Sequence, residues 1–392
     1  MGNHVDRRSW VPTALAVFAV GWGANQFSPL LSLYRTDQGL SQSDVTAMFS
    51  VYIVGLLPAL LVAGRWSDRN GRRVLMRPVL ILSLVSTVVM LLGPQDPLWL
   101  FLGRFLAGVA SGAAFGAGSA WVRELSVDAP PGTGARRAAI ALSGGFGLGG
   151  LVAGLIGEWA PAPMLSPYVP HLVLGAVALV AAWNAADPYV PPEQSEPAPL
   201  IPASAGTRRF LLGVAPWAWL VFGCASMSFA VLADLLGGDA GLPTAYAGVM
   251  VGVTLGSGVL IQPVIRRLAQ TAPPSRPPIA GLLAATVGMA AGAILVASSE
   301  LPGRAFWLLP IAVLLGIGYG TLLVAGLVEV EMQAGPRDHA GLVAVFYVIA
   351  YIGMGTPYVM AELSRFGGPV PWIAAMAVIC ALLIPLTSRQ LR

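Results

Sequence analysis

The chain has 392 residues, of which 56% are hydrophobic and only 10% charged, with a mean hydropathy of +0.75. A soluble domain carries about 25% charged residues, so composition excludes a water-facing exterior and points to a lipid-facing one. All 22 basic residues are Arg against 18 acids, and the sequence holds no Lys; nothing in that balance calls for nucleic acid.

At about 20 apolar residues per span, the length accommodates about twelve membrane helices. In chain order the apolar runs predict helices over 10–33, 41–64, 74–93, 97–122, 136–158 and 168–186. A second set follows over 208–235, 244–265, 277–299, 304–328, 339–362 and 369–388. The run starting at Trp10 lacks a small-residue cleavage site and reads as the first span. Between the sets lies a polar, Pro-rich stretch with Pro191, Pro192, Glu193, Pro197 and Pro199, the composition of an extended linker. The expected domains are 1–187, a cytoplasmic linker at 188–207, and 208–392.

With the N-terminus inside, 18 of the 22 Arg fall on one side, leaving Arg35, Arg104, Arg304 and Arg365. Positive residues collect on the cytoplasmic side, so both termini are expected there. Gly108 and Gly112 in the fourth span match Gly316 and Gly320 in the tenth, and Gly55–Arg69 parallels Gly252–Arg266. Two pseudo-symmetric halves are the architecture of many secondary transporters. Cys224 and Cys380 sit far apart in apolar runs and read as packing residues. His4, His171 and His339 are isolated and form no metal or catalytic spacing, so neither a metal nor a cofactor is expected. The same lack argues against a membrane-embedded enzyme.

Between spans two and three, on the Arg-rich side, stands Gly64-Arg-Trp-Ser-Asp68-Arg69-Asn-Gly71-Arg72-Arg73. Its spacing, side and span number make it resemble the signature loop of the major facilitator superfamily. The resemblance implies an all-α membrane fold of twelve helices in two six-helix bundles, a monomer in the cytoplasmic membrane, and a gating role for the loop. Gly64 is expected to let helix two approach a neighbour closely. Asp68 is expected to cap the start of helix eleven, near His339 to Gly341, where the helix dipole favours an anion. Arg72 and Glu124 complete a network with it. Arg69 and Arg73 are shared between gating and simple topological anchoring. The matching loop of the second half, ending Gln262-Pro263-Val-Ile-Arg266-Arg267, has no such acid.

Arg104 in Gly103-Arg104-Phe-Leu-Ala-Gly108 resembles a second motif of the superfamily, tied to proton coupling; an Arg at this depth either faces the bundle or snorkels outward. Gly145 to Gly154 approximates the motif of its drug–proton antiporters, with Gly150 where the family has Pro and Ala153 where it has Gly. Asp234, Glu158 and Glu362 are the carboxylates offered for carrying a proton, Asp234 first because it continues an apolar run. Asn25, Gln26, Phe115, Phe146, Tyr319, Phe346 and Tyr347 are the residues offered for a substrate cavity, because helix one lines the cavity in this superfamily. Polar groups in the spans are too few for a sugar. The reading is a proton-coupled exporter of lipophilic or amphipathic small molecules, with uptake of a small amphipathic metabolite as the alternative.

Overall fold

The computed structural model describes residues 8–130, 132–188, 201–335 and 338–391, and every regular element among them is helical. Twelve helices form the fold, and eleven are by themselves long and apolar enough to cross a membrane. They are α1 (Trp10–Asn25, resuming as Leu31–Asp37), α2 (Gln42–Asn70), α3 (Arg72–Met90), α4 (Leu98–Glu124), α5 (Thr133–Trp159) and α6 (Val169–Trp183). The second set is α7 (Arg208–Ala240), α8 (Pro243–Thr271), α9 (Arg276–Ala297), α10 (Arg304–Gln333), α11 (His339–Ile352, resuming as Thr356–Ser364) and α12 (Val370–Gln390).

Three helices that the hydropathy pattern predicts as continuous are interrupted. α1 gives way to a 3-10 turn at Ser28–Leu30, because Pro29 removes a donor and disfavours helix at the residue before it. α11 does the same at Gly353–Gly355, just ahead of Pro357. α7 opens into a π-helical stretch at Met227–Leu232, a form that is rare and short-lived along a helix. By contrast α2 starts cleanly: Ser41 Oγ accepts from Asp44 N at 3.1 Å while Asp44 Oδ2 accepts from Ser41 N at 3.1 Å, a reciprocal cap.

The glycine pairs seen in the sequence sit at equivalent crossings. A Cβ at Gly108 or Gly112 would collide with the backbone of Tyr52 or Leu56 in α2, and one at Gly316 or Gly320 with that of Thr254 or Gly258 in α8. Backbones therefore touch where α4 crosses α2 and where α10 crosses α8, the packing that small residues permit in lipid. Gly145 and Gly149 likewise seat α5 on α1 at Phe18 and Trp22, so the stretch resembling the antiporter motif is a close seam. The expectation for Gly64 is corrected: a Cβ there would meet nothing within 4 Å. The close approach of α2 comes earlier in the helix, at Tyr52 and Leu56, where α4 supplies the glycines.

The chain divides into two compact units, residues 1–30 with 51–196, and residues 31–50 with 197–392. The boundary thus differs from a simple cut after 187. The 31–50 segment belongs with the C-terminal helices because they hold its side chains: Arg35 pairs with Asp234 at 3.3 Å, Arg365 Nη2 donates to Ser43 Oγ at 3.0 Å, and Phe49 meets Phe229 edge-on at 6.3 Å. Of the expected linker, residues 189–200, with Pro191 to Pro199, lie outside the described residues. Its end forms a turn at Ala203–Gly206, and Thr207 Oγ1 accepts from Phe210 N to cap α7.

These crossings separate two kinds of glycine. Gly320→Ala is expected to lower the thermal midpoint of the purified protein, since overpacking costs about 1–3 kcal/mol. Gly64→Ala should leave that midpoint unchanged; equal losses from the two variants would contradict the crossing.

Candidate functional site

The loop after α2 is a single residue. Gly71 has φ 98°, a backbone that side chains other than hydrogen rarely adopt, so α2 can end and α3 begin without a connecting segment. This turn brings Arg72 back over the last turn of α2. Its Nη1 donates to Asp68 Oδ1 and, at 3.1 Å, to Ser67 Oγ; its Nε and Nη2 donate to Glu124 Oε1 at 3.1 and 2.8 Å. One guanidinium thus bridges an acid on α2 and an acid at the end of α4. The Arg72 side chain is 16% exposed, against 57% for Asp68 and 37% for Glu124, so the cation is the sheltered member and the acids face outward.

Arg73 points elsewhere. Its backbone N donates to Asp187 Oδ2 at 3.0 Å and its Nη1 reaches the Ala185 carbonyl at 3.4 Å. Arg77 lies 4.6 Å from the Trp183 ring and donates to the Trp183 carbonyl, and Trp121 Nε1 donates to the Ala186 carbonyl at 2.8 Å. Arg73 therefore anchors the exit of α6 instead of joining Asp68. Arg69 is exposed at the end of α2.

The interruption of α1 is the second cluster. Arg104 is fully buried, which removes snorkelling as its role. Its Nη1 donates to the Ala24 carbonyl at 2.8 Å, and the guanidinium lies over the rings of Tyr52 at 4.5 Å and Phe27 at 5.0 Å. Asn25 Nδ2 donates to the Phe146 carbonyl at 2.9 Å, and its Oδ1 accepts from Ser28 Oγ. Gln26 Nε2 donates to Thr87 Oγ1 at 2.9 Å, and Thr87 Oγ1 lies 2.8 Å from His171 Nδ1. Gln26 thus turns into its own bundle, toward α3 and α6. Phe115 and Phe146 stand 5.3 Å apart across α4 and α5. Thr87 and His171 carry no sequence signal, since small hydroxyls and a lone imidazole are ordinary in an apolar run.

The offered acids separate by burial. Asp234 is 7% exposed beside Arg35, which is 40% exposed. Glu362 is a third exposed and pairs with its own helix neighbour Arg365 at 3.1 Å, and Glu158 is half-buried on the last turn of α5. Glu329 has gained a role that the sequence did not assign. It is buried at the inner end of α10, and its Oε2 accepts from Arg209 Nε at 3.2 Å, Arg209 Nη2 at 3.1 Å and Gln333 Nε2 at 3.1 Å. Of the aromatic candidates in the C-terminal unit, Phe346 is fully buried between Trp217 and Gly326 and serves as core. Tyr319 packs on Phe222 at 5.7 Å, and Tyr347 on Tyr351 at 6.2 Å.

The family profile described as the Major Facilitator Superfamily matches residues 13–357. The multidrug resistance protein MdtL of Shigella flexneri serotype 5b is 30% identical over 152 residues, 39% of this chain and 34% of that protein. The MdtL of Escherichia coli O139:H28 gives the same figures. The chain thus aligns with about a third of the length of these curated relatives. Among solved structures, a POT family transporter in complex with 5-aminolevulinic acid superposes with a TM-score of 0.78 at 14% identity, over 100% of this chain and 98% of that one. A mutant of the nucleoside transporter NupG gives 0.70 at 13%, over 98% and 100%. At such identities the likeness is one of fold.

The bridge made by Arg72 is measurable. A double-mutant cycle of Arg72→Ala and Glu124→Ala, read by thermal or denaturant unfolding, is expected to give a coupling of about 1 kcal/mol. That coupling should shrink as salt rises, because the acids are exposed; a coupling near zero at low salt would remove the bridge.

Proposed function

Because the chain belongs to the major facilitator superfamily, a family of multi-pass membrane transporters and not of enzymes, we propose that it is a proton-coupled exporter of lipophilic or amphipathic small molecules. The observation that carries the coupling is Asp234: an acid 7% exposed in an otherwise uncharged stretch of α7, facing Arg35 at 3.3 Å. Holding an acid from water costs less when a cation stands beside it. A proton arriving at Asp234 discharges it and frees Arg35, so protonation and the hold on the 31–50 segment become one event. Arg104, buried over two rings and bound to the Ala24 carbonyl, is the cation of the N-terminal unit that family membership ties to the same coupling.

The Asp68–Arg72–Glu124 bridge is the inner latch in this reading. Arg72 orients Asp68, leaving its second oxygen to cap a helix start when the inner side closes, as the anion preference of such a start allows. Discharging or moving Asp68 would release that end. In this reading the protein works as a monomer in the cytoplasmic membrane. Export of lipophilic compounds is supported by the partial likeness to MdtL and by the scarcity of charge within the spans.

Direction and coupling are tested in vesicles. Inverted vesicles energised with a proton gradient should lose part of it when a lipophilic substrate is added; accumulation in right-side-out vesicles driven by an inward proton gradient would instead establish uptake. Asp234→Asn is expected to abolish gradient-driven export while equilibrium exchange persists. Unchanged gradient-driven export by this variant at normal protein level would eliminate Asp234 as the proton carrier. Asp68→Asn should cut transport about tenfold or more, the loss of a charge-assisted helix cap, without lowering the amount of protein in the membrane; full activity would eliminate the latch.

A further inference from the structure

The C-terminal unit contains a stack of rings that neither the latch nor the proton site uses. Phe222 of α7 and Tyr351 of α11 lie 4.3 Å apart and within 15° of parallel, and Tyr347 continues the stack beyond Tyr351 at 6.2 Å and 30°. Tyr319 of α10 closes on Phe222 at 5.7 Å. Aromatic pairs favour edge-to-face or offset-stacked arrangements; of the two, the near-parallel stack is the one that a further flat ring can join. Its middle ring, Tyr351, is buried, while Phe222 and Tyr347 remain partly exposed.

The ladder sits at mid-depth. At 1.5 Å per residue, Phe222 lies about 21 Å from Arg208, Tyr351 about 18 Å from His339 and Tyr319 about 22 Å from Arg304, against a hydrocarbon core about 30 Å thick. Secondary transporters bind their cargo near this level. No charged residue stands on α7 between Arg209 and Asp234, on α10 between Arg304 and Glu329, or on α11 between His339 and Glu362. An anion there would find no cation to neutralise it, and a localised ammonium no carboxylate. A flat ring system, neutral or with its positive charge spread over the rings, loses little hydration and gains stacking and cation–π contact.

We propose that the Phe222–Tyr351–Tyr347 ladder, with Tyr319 beside it, is a recognition surface for planar aromatic molecules and sets this protein's preference for them over aliphatic ones. The proposal rests on the transport reading above for its purpose, but the site itself is a matter of binding. Ethidium serves as the planar probe and hexadecyltrimethylammonium as the aliphatic one, each titrated without a gradient onto the full chain in lipid nanodiscs. Phe222→Leu keeps apolar bulk and removes the ring face. It should weaken ethidium about three- to tenfold, the loss of one aromatic pair, and change the aliphatic probe by less than about twofold; Phe222→Trp should restore ethidium. Tyr347→Leu reads the same ladder from its other end if Phe222→Leu proves unstable in thermal unfolding. Equal weakening of both probes by these variants, no change in either, or a wild type that does not bind ethidium overturns the proposal. A wild type that binds ethidium through the ladder yet does not move it against a proton gradient would refute proton-coupled export and leave the ladder standing.

Discussion

Hydrocarbon offers no partner to a carbonyl or N–H released from a helix, so an interrupted membrane helix must find every such partner within the protein. α1 is interrupted in the middle of its path, at Ser28–Leu30, and much of the N-terminal unit is arranged around that demand. Arg104 of α4 satisfies the Ala24 carbonyl, Asn25 reaches the Phe146 carbonyl of α5, and Gln26 reaches Thr87 of α3, which is joined in turn to His171 of α6. Three neighbouring helices are bonded to one break directly and a fourth through Thr87. A charge as costly to bury as Arg104 is tolerated because it donates to a carbonyl exposed by the break and lies over two rings. Arg104 is thus a structural tie of the N-terminal unit.

Past that tie the chain belongs to the other unit. Residues 31–50 are held by Asp234, Arg365 and Phe229. The break in α1 is therefore where the polypeptide passes from one compact body to the next. The two halves echo each other at their inner ends without copying. Glu124 and Glu329 both close a glycine-rich helix, and each accepts from the Nε and Nη2 of one Arg. In the first half that Arg begins α3; in the second it stands in the first turn of α7.

Much of this was legible beforehand, for physical reasons that also mark the limit. Helix number follows from lipid thickness and from the length of the apolar runs, which are properties of the chain alone. The bond between Arg72 and Glu124 and the proximity of Asp68 were legible only through the resemblance of the loop to the superfamily's signature; that Gly71 alone connects the two helices was not, because the apolar runs stop at 64 and resume at 74. Crossings at Gly108, Gly112, Gly316 and Gly320 were legible because only a missing side chain permits them. The rotation of a helix about its axis was not. It decides that Gln26 faces Thr87, that Gly64 meets open space, that Phe346 is core while Phe222 is partly exposed, and that Arg209 finds Glu329. Each of those depends on a partner far along the chain or on none, and hydropathy is the same whichever way the helix turns. His171 illustrates the difference: isolated in sequence, it ends a hydrogen-bonded chain that runs from α1 through α3 to α6.

Where α4 crosses α2 and α10 crosses α8, backbone rests on backbone. Such a contact has no side chains that can change rotamer, so it has no compliance: each pair moves as one beam or separates altogether. Elastic give is then left to stretches away from such contacts: the π-helical stretch of α7 is one, whereas the interruption of α11 is itself such a contact, with Gly353 resting on the backbone of Trp219 and Gly223. A membrane protein built this way has its stiffness written into a few glycines and its compliance into the turns that lie away from them.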